Sequence, residues 1–411
     1  MHVLFMNPSG QLGGAETGLL SVIASLRVEY PDWKLSMLAV QHGPFISQVK
    51  HLGVDVHVIP LPPALAVLGD AGLSAETSIQ RWLTVGWQGI KAVLPLLKFL
   101  MRLHRQVKKL NPHLIHTNGF KMHILGLWSR PAHVPLVWHL QDYVGQRPLM
   151  RLLCRWHISS CQAVIAISKS VAEDLASACG RVPRIAVVHS AVSTAQFHPE
   201  GSALNLAFLS GLDPEEPGTV RIGLLGTFAH WKGHDVFLQA LTQVRTTTPW
   251  RAYVVGDAIY QTGGSQHSRQ QLSERVCALQ LQNRVGFTGF VSDTASALRA
   301  LDVVVHTSTR PEPFGMVIIE AQATGKAVLV ARAGGAAEIV DEEENALAAA
   351  PGDVAGIAAA LSRLINDAPL RERLGRGART NAETRFSMLR LGRQVGETYQ
   401  EMTAHACPTR R

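Results

Sequence analysis

Short, strongly apolar runs rich in β-branched residues punctuate the chain, and between them apolar positions return every three or four residues. In the first half the runs are 2–7, 35–40, 56–59, 114–116, 136–139, 163–167 and 185–188. After residue 218 they are 221–225, 252–255, 285–287, 303–306 and 327–331. Runs of this length and composition predict strands buried on both faces of parallel sheets. Helical periodicity at 14–27, 168–178, 235–245, 270–281 and 353–366 supplies the crossovers. The alternation predicts an α/β protein built of two doubly wound, Rossmann-like sheets. The stretch 201–218, which contains SGLDPEEPG, reads as a linker, and the strand pattern restarts at Arg221. Three parts are expected: a first Rossmann-like domain at 1–205, a second at 206–385, and a terminal helix at 386–411 beyond the last strand.

Composition narrows the class. With 46% apolar and 17% charged residues, the chain is globular rather than disordered. Its net charge of +8 lies wholly in the first half: residues 1–200 carry 18 Lys and Arg against 10 Asp and Glu, whereas residues 201–411 carry 21 of each. A basic half beside a neutral one points to an anionic partner, a membrane surface or phosphorylated lipid, or else to an ordinary solvated surface. No aromatic-interleaved basic motif suggests nucleic acid. Five cysteines without a CxxC pair argue against a disulfide framework or structural zinc, and a reducing cytoplasm is the simplest setting. The start, MHVLFMNPSG, is not a signal peptide, and no run is apolar enough to span a bilayer. From Trp82 to Leu110, apolar positions Trp87, Ile90, Val93, Leu94, Leu97 and Leu100 recur at helical spacing among six cations. Such a helix packs on its own domain or lies in a membrane interface.

In doubly wound sheets, ligands bind where strands end and helices begin. Four such turns stand out. The first, PSGQLGGAET, places Gly13 and Gly14 at a helix start, which suits either a phosphate or a tight turn. The second, GTFAHWKGHD, follows a strand with Gly226 and Thr227 and offers Lys232 as a point charge for a phosphate. His230 and His234 stand four apart, but Gly233 between them makes a regular helix and a metal pair improbable. The third is STRPEPFGMVIIEAQATG. Its prolines forbid helix around Glu312, and Phe314, Gly315 and Met316 then open a helix with free N–H groups. Glu320, about two turns into that helix, sits in an apolar context where a lone acid needs a partner. The fourth is Gly334-Gly335 with Glu338. His139 ends a strand in VWHLQDY, where a structural role is as reasonable as a ligand contact. No Asp-x-Asp marks a divalent metal site.

These motifs together resemble family 4 retaining glycosyltransferases of the GT-B fold. The resemblance runs from GGAE at Gly13–Glu16 to the final helix, and its most specific part is the Glu-x7-Glu block from Glu312 to Glu320 followed by GG-x-x-E. Lesser matches are HTN at His116–Asn118, AIS at Ala166–Ser168, WKG at Trp231–Gly233, VGD at Val255–Asp257 and FTGF at Phe287–Phe290. The resemblance implies two Rossmann-like domains facing across a cleft, the first on the acceptor side and the second binding the donor, with the last helix crossing back to the first. It implies a nucleoside diphosphate sugar as donor, no metal or cofactor, and transfer of a hexosyl group with retention to an acceptor hydroxyl. Lys232, Glu312 and His139 would be catalytic. Glu312 and His139 would contact the sugar, and Lys232 the diphosphate. The amides of Phe314, Gly315 and Met316 would bind sugar and diphosphate. Gly14, Gly226 and Thr227 would line the donor, Glu320 would hold the ribose, and Phe290 and Val291 would lie by the base.

The implied setting is surface polysaccharide or glycolipid assembly on a lipid-linked or saccharide acceptor, at the inner face of the cell membrane. Two departures stand out. Thr227 occupies the place where the family usually carries an arginine on the diphosphate, and HSAVS at His189–Ser193 replaces the usual PNGVD. Two other readings stay open: a sugar-nucleotide epimerase on the same fold, and a donor-binding partner without transfer activity, which Thr227 favours.

Overall fold

The computed structural model describes residues 1–63, 79–180, 182–258 and 265–406, with side chains from 79–92 and of 405 and 406 left aside. The chain divides into two compact units, Met1–Ser190 with Met388–Arg411, and Ala191–Ser387.

The first unit is built on strands β1 (His2–Asn7), β2 (Lys34–Ala39), β3 (Asp55–Val58), β4 (Leu114–Asn118), β5 (Leu136–Leu140), β6 (Ala163–Ala166) and β7 (Arg184–Val187). Their order is β3-β2-β1-β4-β5-β6-β7, and every pairing is parallel. The central strands are buried at every position because helices cover both faces, and most of their residues are apolar. The chain winds outward from β1 in one direction and from β4 in the other, which makes β1/β4 the switch point.

On one face, the helix Ile79–Leu110 packs beside Phe120–Ser129, and that helix beside Pro148–His157. The inward stripe of the long helix is Phe99, Leu103 and Val107. Val93, Leu94 and Leu97, three of the apolar positions read at helical spacing, face solvent. Trp87 and Ile90 lie outside the described side chains. The terminal helix Met388–Ala406 belongs to this unit and packs along Gly14–Glu29. Gly392 and Gly396 make that approach possible, since a Cβ on them would overlap the Ser25 carbonyl and the Tyr30 ring.

The second unit holds β8 (Val220–Leu225), β9 (Trp250–Val255), β10 (Val285–Gly289), β11 (Val303–His306), β12 (Ala327–Ala331) and β13 (Leu347–Ala349). The order is β10-β9-β8-β11-β12-β13, again parallel throughout, with the switch point between β8 and β11. One core of Val, Ile, Leu and Phe side chains joins the sheet to its helices.

The stretch 201–218 is not a free linker. Leu206–Ser210 is a helix against β10, with Leu206 and Ala207 buried, and the Tyr253 hydroxyl bonds Glu215. Gly286 leaves room for Ser210. Its Gly, Pro and acidic residues mark a surface path of packed chain rather than a boundary. The units divide at 190/191, ahead of 205/206, because residues 192–197 are tied to the second unit. The Val192 N–H donates to the Phe386 carbonyl (2.9 Å), and Arg379 donates to the carbonyls of Thr194 and Phe197.

Candidate active site

The strand ends at the second switch point gather the motif residues. β8 ends at Leu225, and Gly226 and Thr227 lead into a single turn, His230–Lys232, before the helix His234–Thr242. Gly233 is required there: its φ is +76°, and a Cβ would overlap the Thr307 carbonyl oxygen at the end of β11. This close approach brings Lys232 from the β8 turn against Glu312 from the β11 loop. The ammonium donates to both carboxylate oxygens, at 3.1 and 2.9 Å, and lies 4.1 Å from the Trp231 ring centre.

Two residues that sequence reasoning did not single out complete the group. His306, the last residue of β11, sets its Nε2 at 3.2 Å from Glu312 Oε2, and the Ser308 hydroxyl donates to the same oxygen at 2.9 Å. Their signal was positional: both are polar and stand at the C-terminal end of a buried strand. Burial alone would raise the Glu312 pKa, but the Lys232 charge and the hydrogen bonds from His306 and Lys232 outweigh it and hold it at about 2. Glu312 is therefore ionised at neutral pH and acts as an acceptor.

The loop 312–315 is bent and not helical, so the helix Met316–Ala323 starts later than expected and Glu320 lies little more than one turn into it, not two. Gly315 precedes it with φ +108°, and Phe314 is buried against Phe386. The Gly334-Gly335 turn lies directly on the loop: the Gly335 N–H donates to the Glu312 carbonyl at 2.7 Å, and a Cβ on Gly335 would overlap the Pro313 carbonyl. Glu320 has no side-chain partner among the described residues, and loss of water pushes its carboxyl up to about 7. Phe290 and Val291 follow β10, with Phe290 exposed. Arg332 pairs with Glu342.

The histidines of the second turn do not form a pair. His230 bonds His267 at 3.0 Å, while His234 is buried against Phe228. Among the described residues, no group of three or more His, Cys, Asp or Glu is arranged to hold a metal.

At the switch point of the first unit, the Asn118 amide donates to Asn7 Oδ1 (2.8 Å), and Asn7 donates to Ser9 and Glu16. Gly14 opens the helix Gly14–Glu29, and a Cβ on it would meet nothing within 4 Å. His139, one residue before the end of β5, belongs to a buried chain: the Tyr399 hydroxyl lies 2.6 Å from His116 Nδ1, and His116 Nε2 lies 3.2 Å from His139 Nδ1. Burial lowers the His139 pKa to about 4. A cavity of about 300 Å³ beside β1 and β4 is lined by Pro8, Val40, Phe120, Lys121, Arg147 and Met150, among others.

Two parallel doubly wound units, with charged and Gly-rich turns at a switch point, fit the GT-B architecture. The comparisons agree. Residues 214–381 match the model of glycosyl transferases group 1, and residues 45–196 match that of glycosyltransferase family 4. The two halves thus each match a glycosyltransferase model, and the chain is similar to glycosyltransferase family 4. It is similar to the lipopolysaccharide core biosynthesis mannosyltransferase LpcC of Rhizobium leguminosarum bv. viciae, at 29% identity over 303 residues, 68% of this chain and 82% of the relative. A similar match, 28% over 305 residues, covers 68% of this chain and 83% of the mannosyltransferase LpsB of Rhizobium meliloti. Among solved structures, Anabaena HepE in complex with UDP-glucose superposes with a TM-score of 0.76 at 25% identity, covering 98% of this chain and all of that one. Sucrose-phosphate synthase from Thermosynechococcus elongatus shares the fold, with a TM-score of 0.73 at 20% identity, covering 98% and 99%.

Proposed function

We propose that this glycosyltransferase moves a hexosyl group, with retention, from a nucleoside diphosphate sugar to an acceptor hydroxyl in lipopolysaccharide or related surface polysaccharide assembly. The observation that carries the reading is the Lys232–Glu312 pair at the β8/β11 switch point, followed one helical turn on by Glu320, which has no side-chain partner among the described residues. A lone carboxylate in an apolar setting is costly and is satisfied by a ligand that donates hydrogen bonds. Vicinal ribose hydroxyls are such donors. HepE, whose match covers 98% of this chain, is described in complex with UDP-glucose.

In this reading Glu312 accepts from hydroxyls of the transferred sugar, and Lys232 turns part of its charge to the diphosphate. The first N–H groups of the helix Met316–Ala323, with those of Phe314 and Gly315, add partial positive charge where negative charge develops. The acceptor oxygen attacks the anomeric carbon from the leaving-group side as the bond to the diphosphate oxygen breaks. The hydroxyl proton passes to the departing phosphate oxygen. No carboxylate of the protein changes its bonds, and no metal is needed to balance the step. The protein positions the partners and stabilises charge. In the first unit, resemblance assigns His139 to the sugar and Gly14 to the phosphate or acceptor.

The test is transfer with nucleotide sugars, mannosyl donors first, with the product's anomeric configuration read by NMR. Glu312→Ala and Lys232→Ala should each cut turnover by about a hundredfold or more, and full turnover in both would overturn the reading. Thr227 favours one alternative, a donor-binding partner without activity. Donor binding with neither transfer nor hydrolysis would select it.

A further inference from the structure

Three side chains of the first unit, on three separate elements, form one hydrogen-bonded line. Tyr399 lies in the terminal helix, His116 in β4 and His139 in β5, and all three are buried. The Tyr399 hydroxyl meets His116 Nδ1, and His116 Nε2 meets His139 Nδ1. The two imidazoles meet edge-on, with ring centres 5.0 Å apart and planes at 72°. Such a line runs in one of two directions. If Tyr399 donates, each neutral histidine in turn carries its proton on Nε2; if Tyr399 accepts, each carries it on Nδ1.

The first link sets the direction. Among the described residues the Tyr399 hydroxyl has His116 Nδ1 as its one hydrogen-bond partner, and burial holds it protonated far above the ordinary tyrosine range. A buried hydrogen without an acceptor is a costlier defect than an oxygen lone pair without a donor, so the hydroxyl donates. Burial, with His139 and His123 alongside, holds His116 neutral. Its single proton therefore sits on Nε2 and points at His139 Nδ1. His139, neutral as well, is left with its own proton on Nε2. The Gln141 amide lies 3.3 Å from both ring nitrogens of His139 and so is in line with neither. The neighbouring His123 is set the opposite way. The Thr117 hydroxyl donates to the Val137 carbonyl at 3.1 Å, which leaves it to accept from His123 Nδ1 at 2.8 Å.

We propose that Tyr399 and His116 are positioning residues that fix His139 as an uncharged Nε2–H hydrogen-bond donor, with no lone pair to offer a ligand at that nitrogen. Through this line the terminal helix governs a group at the end of β5 without touching a ligand itself. A donor of this kind recognises an oxygen lone pair, such as that of a sugar hydroxyl. That use rests on the proposed transfer reaction and on the resemblance that sets His139 beside the sugar; the tautomers do not.

The experiment is ring-nitrogen NMR of the full chain labelled at histidine, at neutral pH and without ligand, each ring being assigned from the spectrum of its own substitution. His116 and His139 should show the Nε2–H form and His123 the Nδ1–H form. Tyr399→Phe should move the His116 Nδ1 resonance towards that of an unbonded lone pair. His116→Gln keeps an amide that can donate to His139 Nδ1, and His139 should stay Nε2–H. His116→Leu has no donor, and the Nδ1–H form of His139 should appear. In sugar transfer His116→Leu should lower kcat roughly tenfold with KM little changed, the worth of one buried hydrogen bond, and His116→Gln should recover most of that loss. Nδ1–H at His139 in the native chain, or a His139 tautomer that His116→Leu leaves unchanged, overturns the proposal. Equal loss of kcat in the Gln and Leu variants does so too, since His116 would then act by packing alone. If the native chain shows these tautomers and transfers no sugar, the inference stands and the transfer reading falls.

Discussion

The two glutamates of the Glu-x7-Glu block carry opposite electrostatic histories. Glu312 is held at about 2, so its pairing adds stability that is complete above the ordinary glutamate value and is lost as pH falls from about 4.5 towards 2. The native chain should therefore lose more melting temperature over that range than Glu312→Gln does. Removing Lys232 instead strands a buried carboxylate, and Lys232→Ala should cost about 3 kcal/mol in denaturant unfolding at neutral pH.

Glu320 is raised to about 7, so burial favours its protonated form, and its ionisation weakens the fold as pH climbs from about 4.5 to 7. Glu320→Gln should raise stability at about pH 8 by about 2 kcal/mol. If Glu320 holds the ribose, the same variant should weaken donor binding in a thermal-shift titration. A gain in stability together with a loss of affinity marks a residue kept for its ligand. Both glutamates were legible in the sequence because prolines and an apolar run isolate them. His306 and Ser308 were not, since their contact with Glu312 depends on how the loop folds back over the strand end.

Among elements, twelve strands were placed by apolar runs within a few residues. β13 escaped because three residues, Leu347–Ala349, are too few to show a pattern after an acidic run. The helix Ala368–Arg385 escaped for the opposite reason: it is long but so rich in Arg and Glu that its buried positions, such as Leu370, Leu374 and Ala378, hardly show as a stripe. The long basic helix was seen, but its two apolar stripes could not be told apart without knowing which one met the sheet. Packing of the terminal helix is testable at its glycines. At Gly392 an added methyl meets the Ser25 backbone, which cannot yield, whereas at Gly396 it meets the Tyr30 ring. Gly392→Ala should cost about 2 to 3 kcal/mol, and Gly396→Ala less, with part of the latter restored by Tyr30→Ala. Melting temperatures of the four variants decide it.

For the whole molecule, each parallel sheet carries its own switch point, and the second unit sets the part-buried Lys232–Glu312 pair at its own. A nucleotide that binds this site at a hundred times its dissociation constant should stabilise the native state by about 2.7 kcal/mol. Hydrogen exchange should then slow chiefly at 226–233 and 312–320. The division of charge between the halves was visible in the sequence; the order in which the chain builds its units was not. The second unit is an insertion, complete by Ser387, whereas the first waits for Met388–Ala406. On the ribosome the later unit can thus finish folding before the earlier one. Until the last nineteen-residue helix emerges, the groove that receives Leu391, Val395 and Tyr399 stays open, and His116 lacks the hydroxyl that meets it. A nascent chain stopped short of that helix would carry a finished second unit joined to an unfinished first one, which stays exposed to proteolysis until the helix emerges.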